Sequence, residues 1–146
     1  MKTLEICITD FCNLQCKNCG QGTPWHKSKK AMSVDHLLNI SKFFKANEFE
    51  IIKVSGNEPT LHKEFADICN SLKSLFPANK YYLATNGFNL GKYLSDIKIF
   101  DRIDVSCYPG QNDDVFNTLA GQNIQNASSY TKNDDVQMFN INAFLN

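Results

Sequence analysis

Short β-branched runs alternate with stretches of helical periodicity along this chain, and that alternation constrains its fold more than any other feature. Leu4, Ile6 and Ile8 fall on one face and Glu5, Cys7 and Thr9 on the other, which predicts a first strand over residues 3–9. Ile51, Ile52 and Val54 before Ser55-Gly56 predict a second strand, Tyr81, Tyr82 and Leu83 a third, and Ile103, Val105 and Cys107 a fourth. Ser33 is a helix cap, Asp35 suits the positive end of a helix dipole, and Val34, Leu37, Leu38 and Phe44 recur at helical spacing, so a helix is expected from there to about Asn47. Phe65, Ile68, Cys69, Leu72, Leu75 and Phe76 keep a 3.6-residue period and predict a second helix over residues 61–75, stopped by Pro77. Residues 90–97 predict a short third helix and 113–119 another. The polar stretch 122–135 reads as loop, and the apolar stretch 136–145 as a fifth strand. Each helix must return the chain to begin the next strand in the same direction, so the pattern calls for a parallel sheet.

In such sheets ligands gather at the carboxyl ends of the strands, and the chemically informative segments all fall there. A long loop, residues 10–32, follows the first strand and opens with Cys12-Asn13-Leu14-Gln15-Cys16-Lys17-Asn18-Cys19. Gly56-Asn57-Glu58-Pro59 follows the second strand, Thr85-Asn86-Gly87 the third, and Ser106 to Pro109 the fourth. Three of the six cysteines crowd into eight positions, which in a reducing compartment points to metal ligation rather than cross-linking. Thiolates are soft ligands that suit iron–sulfur clusters or zinc. Three of them leave one iron of a cubane cluster open to a substrate or cofactor. A structural zinc site with His26 as fourth ligand is the competing reading.

The spacing C-x3-C-x2-C after a first strand resembles the cluster loop of the radical S-adenosylmethionine (radical SAM) superfamily. Gly56-Asn57-Glu58-Pro59 is similar to that family's Gly-Gly-Glu-Pro segment, and the strand-end segments through Asn86 and Ser106 follow the family's order. The resemblance covers residues 4–109. It implies an α/β fold, a partial (β/α) barrel of about four βα units plus a fifth strand, in a single domain over 1–146 that is C-terminally short of the family.

It also implies a four-iron, four-sulfur (4Fe–4S) cluster on Cys12, Cys16 and Cys19, with S-adenosylmethionine chelated at the open iron. An electron from the cluster would cleave the cofactor, and a 5'-deoxyadenosyl radical would take hydrogen from a substrate. By the same resemblance Glu58 meets the cofactor ammonium, Gly56 allows close backbone approach, and Pro59 fixes the turn into the second helix. Asn86 and Ser106 offer donors and acceptors to the cofactor's carboxylate or ribose. Asn57 stands where the family has its second glycine, and Asn18 where it often carries an aromatic residue near the adenine. An external electron donor such as a flavodoxin or ferredoxin is implied, with a small molecule, peptide or partner enzyme as substrate.

The bland readings stand beside these. Glu58 suits a turn at a helix start, Thr85-Asn86-Gly87 is common turn composition, and Ser106 fits ordinary strand-end hydrogen bonding. Cys7, Cys69 and Cys107 read as small core residues, Tyr81 and Tyr82 as strand packing, and Trp25, His26 and the 27–30 run as a solvated loop face. A non-catalytic iron–sulfur or zinc module is the alternative to an enzyme. Fifteen basic and fifteen acidic side chains cancel, so no whole-chain field favours nucleic acid or membrane. With no apolar run of membrane-spanning length and no secretory leader pattern, a soluble cytoplasmic protein is expected.

Overall fold

The computed structural model describes residues 2–16, 19, 29–44, 48–78 and 80–106, together with the backbone of 127–130. Five parallel strands form one sheet in chain order: β1 (Thr3–Cys7), β2 (Ile51–Ser55), β3 (Lys80–Thr85), β4 (Arg102–Ser106) and β5 (Ala127–Tyr130). Helix α1 (Val34–Ser41) lies in the crossover between β1 and β2, and α2 (Phe65–Leu75) in the next. Sequential parallel strands with helical segments in the first three crossovers make a partial (β/α) barrel, as the alternation in sequence predicts.

The pleat sorts the side chains. Ile6, Val54, Leu83 and Ile103 stand level across four strands and are buried together with Leu37 of α1 and Phe65, Ile68, Cys69 and Leu72 of α2. Phe65 is fully buried and meets Tyr93 edge to face, with ring centroids 4.8 Å apart. The next row in the pleat, on the other face of the sheet, is polar: Glu5 pairs with Lys53 at 3.4 Å, Arg102 lies over the Tyr82 ring at 5.6 Å, and Arg102 Nε reaches Asp104 Oδ1 at 2.6 Å. Cys7 belongs to this face and is exposed, which corrects the expectation of a core residue. Cys69 is buried as expected, and Cys107 lies outside the described residues. Tyr81 packs in the core with its hydroxyl donating to Phe76 O at 3.1 Å, whereas Tyr82 sits under Arg102 on the polar face.

Several boundaries differ from the sequence reading, each for a local reason. Ser33 caps α1 by accepting from His36 N at 3.2 Å, but the helix ends at Ser41, where turns at Phe43 and Phe44 close it. The second helix is split. A 3₁₀ turn, Pro59–Leu61, comes first, and α2 starts only at Phe65 because the His62 side chain takes the Glu64 N–H at 3.0 Å. The third crossover is two 3₁₀ turns, Leu90–Lys92 and Asp96–Ile99, instead of a helix; Leu90 and Ile97 still anchor it in the core. The strand β5 falls in the stretch expected to be loop. Its run Ala-Ser-Ser-Tyr gives no hydrophobic alternation and is recruited by the ladder to β4 alone. The helix expected over 113–119 and the strand expected over 136–145 lie outside the described residues.

Phe65→Ala is expected to cost about 3–5 kcal/mol, since it empties a ring-sized volume at the centre of the core. Chemical denaturation of the metal-free protein measures this, and a loss below about 1 kcal/mol would contradict the packing described.

Candidate metal and cofactor site

The loop that carries the cysteines is closed at its neck. Asp10 N donates to Lys30 O and Met32 N to Ile8 O, both at 2.8 Å, and an antiparallel bridge joins Thr9 to Ala31. His62 adds a clamp from outside: its Nδ1 accepts from Glu64 N, which leaves Nε2 as the donor to Met32 O at 2.6 Å.

The segment after β2 is zipped onto the outgoing limb of that loop. Ile8 N donates to Ser55 O at 3.0 Å, Asn57 N to Thr9 O at 2.9 Å, and Glu58 N to Phe11 O at 2.9 Å. So close an approach needs glycine at position 56. Its φ is +131°, and a Cβ there would stand 2.6 Å from Thr9 O, closer than any side chain tolerates. Asn57 uses its side chain where the family pattern has none: Nδ2 donates to Asp10 O at 2.7 Å, two residues before Cys12.

Glu58 is the centre of the site. Its side chain has 0% exposure, and both oxygens are engaged by the protein. Oε1 accepts from Thr60 N at 3.1 Å, Thr60 Oγ1 at 2.5 Å and Thr85 Oγ1 at 2.6 Å, while Oε2 accepts from Asn86 N at 2.6 Å. Short distances of this kind suit an ionised acceptor. Burial nevertheless outweighs the donors and pushes the carboxyl above its ordinary range. The geometry therefore gives Glu58 a role beyond the ammonium contact expected from the resemblance: it ties the ends of β2 and β3 together.

Asn86, 4% exposed, carries this network to the cysteines. Its Nδ2 donates to Asn13 Oδ1 at 2.8 Å and approaches Cys12 Sγ at 3.9 Å, while its Oδ1 accepts from Phe88 N at 3.2 Å. The Leu14 N–H also donates to Cys12 Sγ, at 3.3 Å. Pro59 is buried at the start of its 3₁₀ turn, and Ser106 ends β4 in register with Tyr130 of β5. Asn18 and His26 lie outside the described residues. Thr60 and His62 escaped the sequence reading, although Thr60 adjoins Gly56-Asn57-Glu58-Pro59; Thr85 and Asn13 stood within segments it singled out, without a role of their own.

Cys12, Cys16 and Cys19 are half-buried and joined in no disulfide, with Cys19 N donating to Cys16 O at 3.2 Å. Burial pushes the Cys12 thiol above its ordinary range; the Leu14 N–H draws it down, and the charges of Glu58, Cys16 and Cys19 push it further up. Three soft thiols that repel one another when ionised fit a cationic iron center, which would offset that repulsion. Among the described residues no three His, Cys, Asp or Glu side chains are already gathered as a metal site. Gathering the thiols would then be part of the binding free energy.

Residues 6–116 match the model of the radical SAM superfamily. The chain belongs to that superfamily. Its members are enzymes that use a 4Fe–4S cluster and S-adenosylmethionine. Among curated relatives, the chain is 28% identical over 126 residues to the GTP 3',8-cyclase of Lactiplantibacillus plantarum, covering 84% of this chain and 38% of that protein. It is 30% identical over 127 residues to the GTP 3',8-cyclase of Mannheimia succiniciproducens, covering 82% of this chain and 36% of the relative. With the mitochondrial GTP 3',8-cyclase of Arabidopsis thaliana it shares 30% over 97 residues, covering 65% and 25%. The chain thus spans between a quarter and two-fifths of the length of these relatives. Among the described residues no helix is long and apolar enough to cross a membrane.

Two outcomes follow from this geometry. Gly56→Ala is expected to lose at least about 2 kcal/mol of stability in denaturant melts, because a strained φ and a backbone clash coincide; an unchanged midpoint would contradict the zipped contact. Burial pushes the Cys69 thiol up to about 12, with Asp96 adding to the effect, so Cys69 should resist iodoacetamide at pH 8 in the folded metal-free protein while Cys7 is labelled. Mass spectrometry of the alkylated peptides reads this directly.

Proposed function

We propose that Cys12, Cys16 and Cys19 hold a 4Fe–4S cluster and that the chain uses it for the reductive cleavage of S-adenosylmethionine. When bound, the cluster supplies one electron to the cofactor's carbon–sulfur bond, yielding methionine and a 5'-deoxyadenosyl radical that abstracts hydrogen from a substrate. The observation that carries the reading is the convergence on Cys12: the cysteine loop leaves β1, Gly56 to Glu58 lie along its outgoing limb, and the Asn86 amide at the end of β3 reaches the sulfur.

The protein's part is to bind and orient. Gly56 brings the backbone against the loop, Asn57 holds Asp10 O, and Pro59 sets the turn beyond. With Asn86 and Ser106 these residues form the seat for S-adenosylmethionine, over a floor fixed by the Glu58 carboxylate. Asn18, which precedes Cys19 in the sequence, is a further proposed contact of the cofactor. Enzymes of the superfamily need a reductant and a substrate, and here a flavodoxin or ferredoxin in a reducing cytoplasm is the proposed donor; none of the five described cysteines is joined in a disulfide. The name shared by the relatives makes GTP the first substrate to offer.

Anaerobic reconstitution with iron and sulfide, followed by reduction with S-adenosylmethionine present, tests the proposal. It should yield 5'-deoxyadenosine, and Cys16→Ala should abolish both cluster uptake and product. Full cluster loading without 5'-deoxyadenosine would favour a non-catalytic iron–sulfur module, and full iron content in Cys16→Ala would overturn the ligand assignment.

A further inference from the structure

The Asn86 side chain is fixed at every polar atom the structure describes. Its orientation follows from its partners: Phe88 N donates at 3.2 Å and must face Oδ1, so Nδ2 faces Asn13 Oδ1 at 2.8 Å and Cys12 Sγ at 3.9 Å. Its own backbone N–H is held at 2.6 Å by the buried Glu58 carboxylate. At 4% exposure, little water competes for the amide. Cys12 therefore receives donors from two directions, the Leu14 N–H in its own loop and the Asn86 amide from the end of a different strand.

Hydrogen bonds to ligand sulfurs are one of the means by which a protein sets the potential of an iron–sulfur cluster. A donor draws electron density from the sulfur and so favours the reduced, more negatively charged state. A thiolate bound to iron is also a stronger acceptor than the thiol, which favours a shorter contact once the ligand is deprotonated. The long 3.9 Å approach is thus an amide already aimed at the sulfur.

We propose that Asn86 is a positioning residue that donates to the Cys12 sulfur and raises the reduction potential of the cluster, its amide being aimed by Glu58 and Phe88 N. This rests on the cluster reading above. The consequence is a link between strand ends: the buried carboxylate that joins β2 to β3 also sets the electronics of one ligand.

The test is an EPR-monitored redox titration of the reconstituted protein without S-adenosylmethionine, with iron and sulfide content measured alongside. Asn86→Asp keeps an acceptor for Phe88 N but turns an oxygen toward Cys12, and its potential should fall below the parent's. Asn86→Ser, which withdraws the donor without adding charge, should fall less. Asn13→Ala removes the competing acceptor and should leave the potential equal or higher. The unaltered protein gives a readout that needs no variant: incorporation of side-chain-15N asparagine should change the electron spin-echo modulation of the reduced cluster. Loaded Asn86 variants with the parent's potential, or a modulation indifferent to the label, would overturn this inference alone. A parent protein that takes up no iron and sulfide would overturn the cluster reading and this inference together.

Discussion

A carboxylate with no exposed surface, held between two strand ends, is the constraint on which the site depends. Glu58 follows β2 and Thr60 lies on the 3₁₀ turn directly after it, while Thr85 and Asn86 stand at the end of β3, and all three partners donate to Glu58. Removing a carboxylate from water costs several kcal/mol even after relaxation. Hydrogen bonds to a charged group return about 1.5–3 kcal/mol each, so the burial is sustainable only while the donors stay in place. The raised carboxyl pKa shows that the balance still leans toward the cost of burial. The site edge is therefore specified by an interaction that tolerates little displacement.

The cysteine loop leans on that edge rather than standing alone. Its neck is closed by pairing between residues 8–10 and 30–32, its outgoing limb is zipped onto Gly56, Asn57 and Glu58, and His62 clamps the returning limb through Met32 O. The same backbone segment thus serves as both turn and support. Glycine at position 56 is the steric condition for all of it, since any Cβ would meet Thr9 O. Asn57 shows how a residue unlike the family pattern is accommodated: its amide finds Asp10 O, adding a tie that a glycine lacks.

Much of the framework was legible because it rests on patterns repeated over many residues. The alternation of Leu4, Ile6 and Ile8 against Glu5 and Cys7 foretells β1 and its polar opposite face, and it outweighs the small size of Cys7, which is exposed instead of in the core. The helical period of α2 survives intact from Phe65 to Leu72. What escaped depends on single hydrogen bonds between residues distant in sequence. The split before α2 comes from one imidazole taking Glu64 N–H, and β5 comes from ladder bonds to β4 that a run of Ala and Ser does not advertise. Within the site, spacing singled out the cysteines and the family resemblance Glu58 and Asn86, but neither told that Thr60 and Thr85 would surround the carboxylate, because two hydroxyl side chains carry no periodic signal.

Amide hydrogen exchange at Asn86 and Thr60 tests the central claim most directly, comparing the metal-free protein with Glu58→Gln. Three donors crowd the Oε1 position, so a glutamine must place its oxygen there and turn its NH2 toward Asn86 N. The account predicts that the Asn86 amide exchanges much faster in the variant while Thr60 and the α2 core stay protected. Equal protection of Asn86 in both proteins would contradict it.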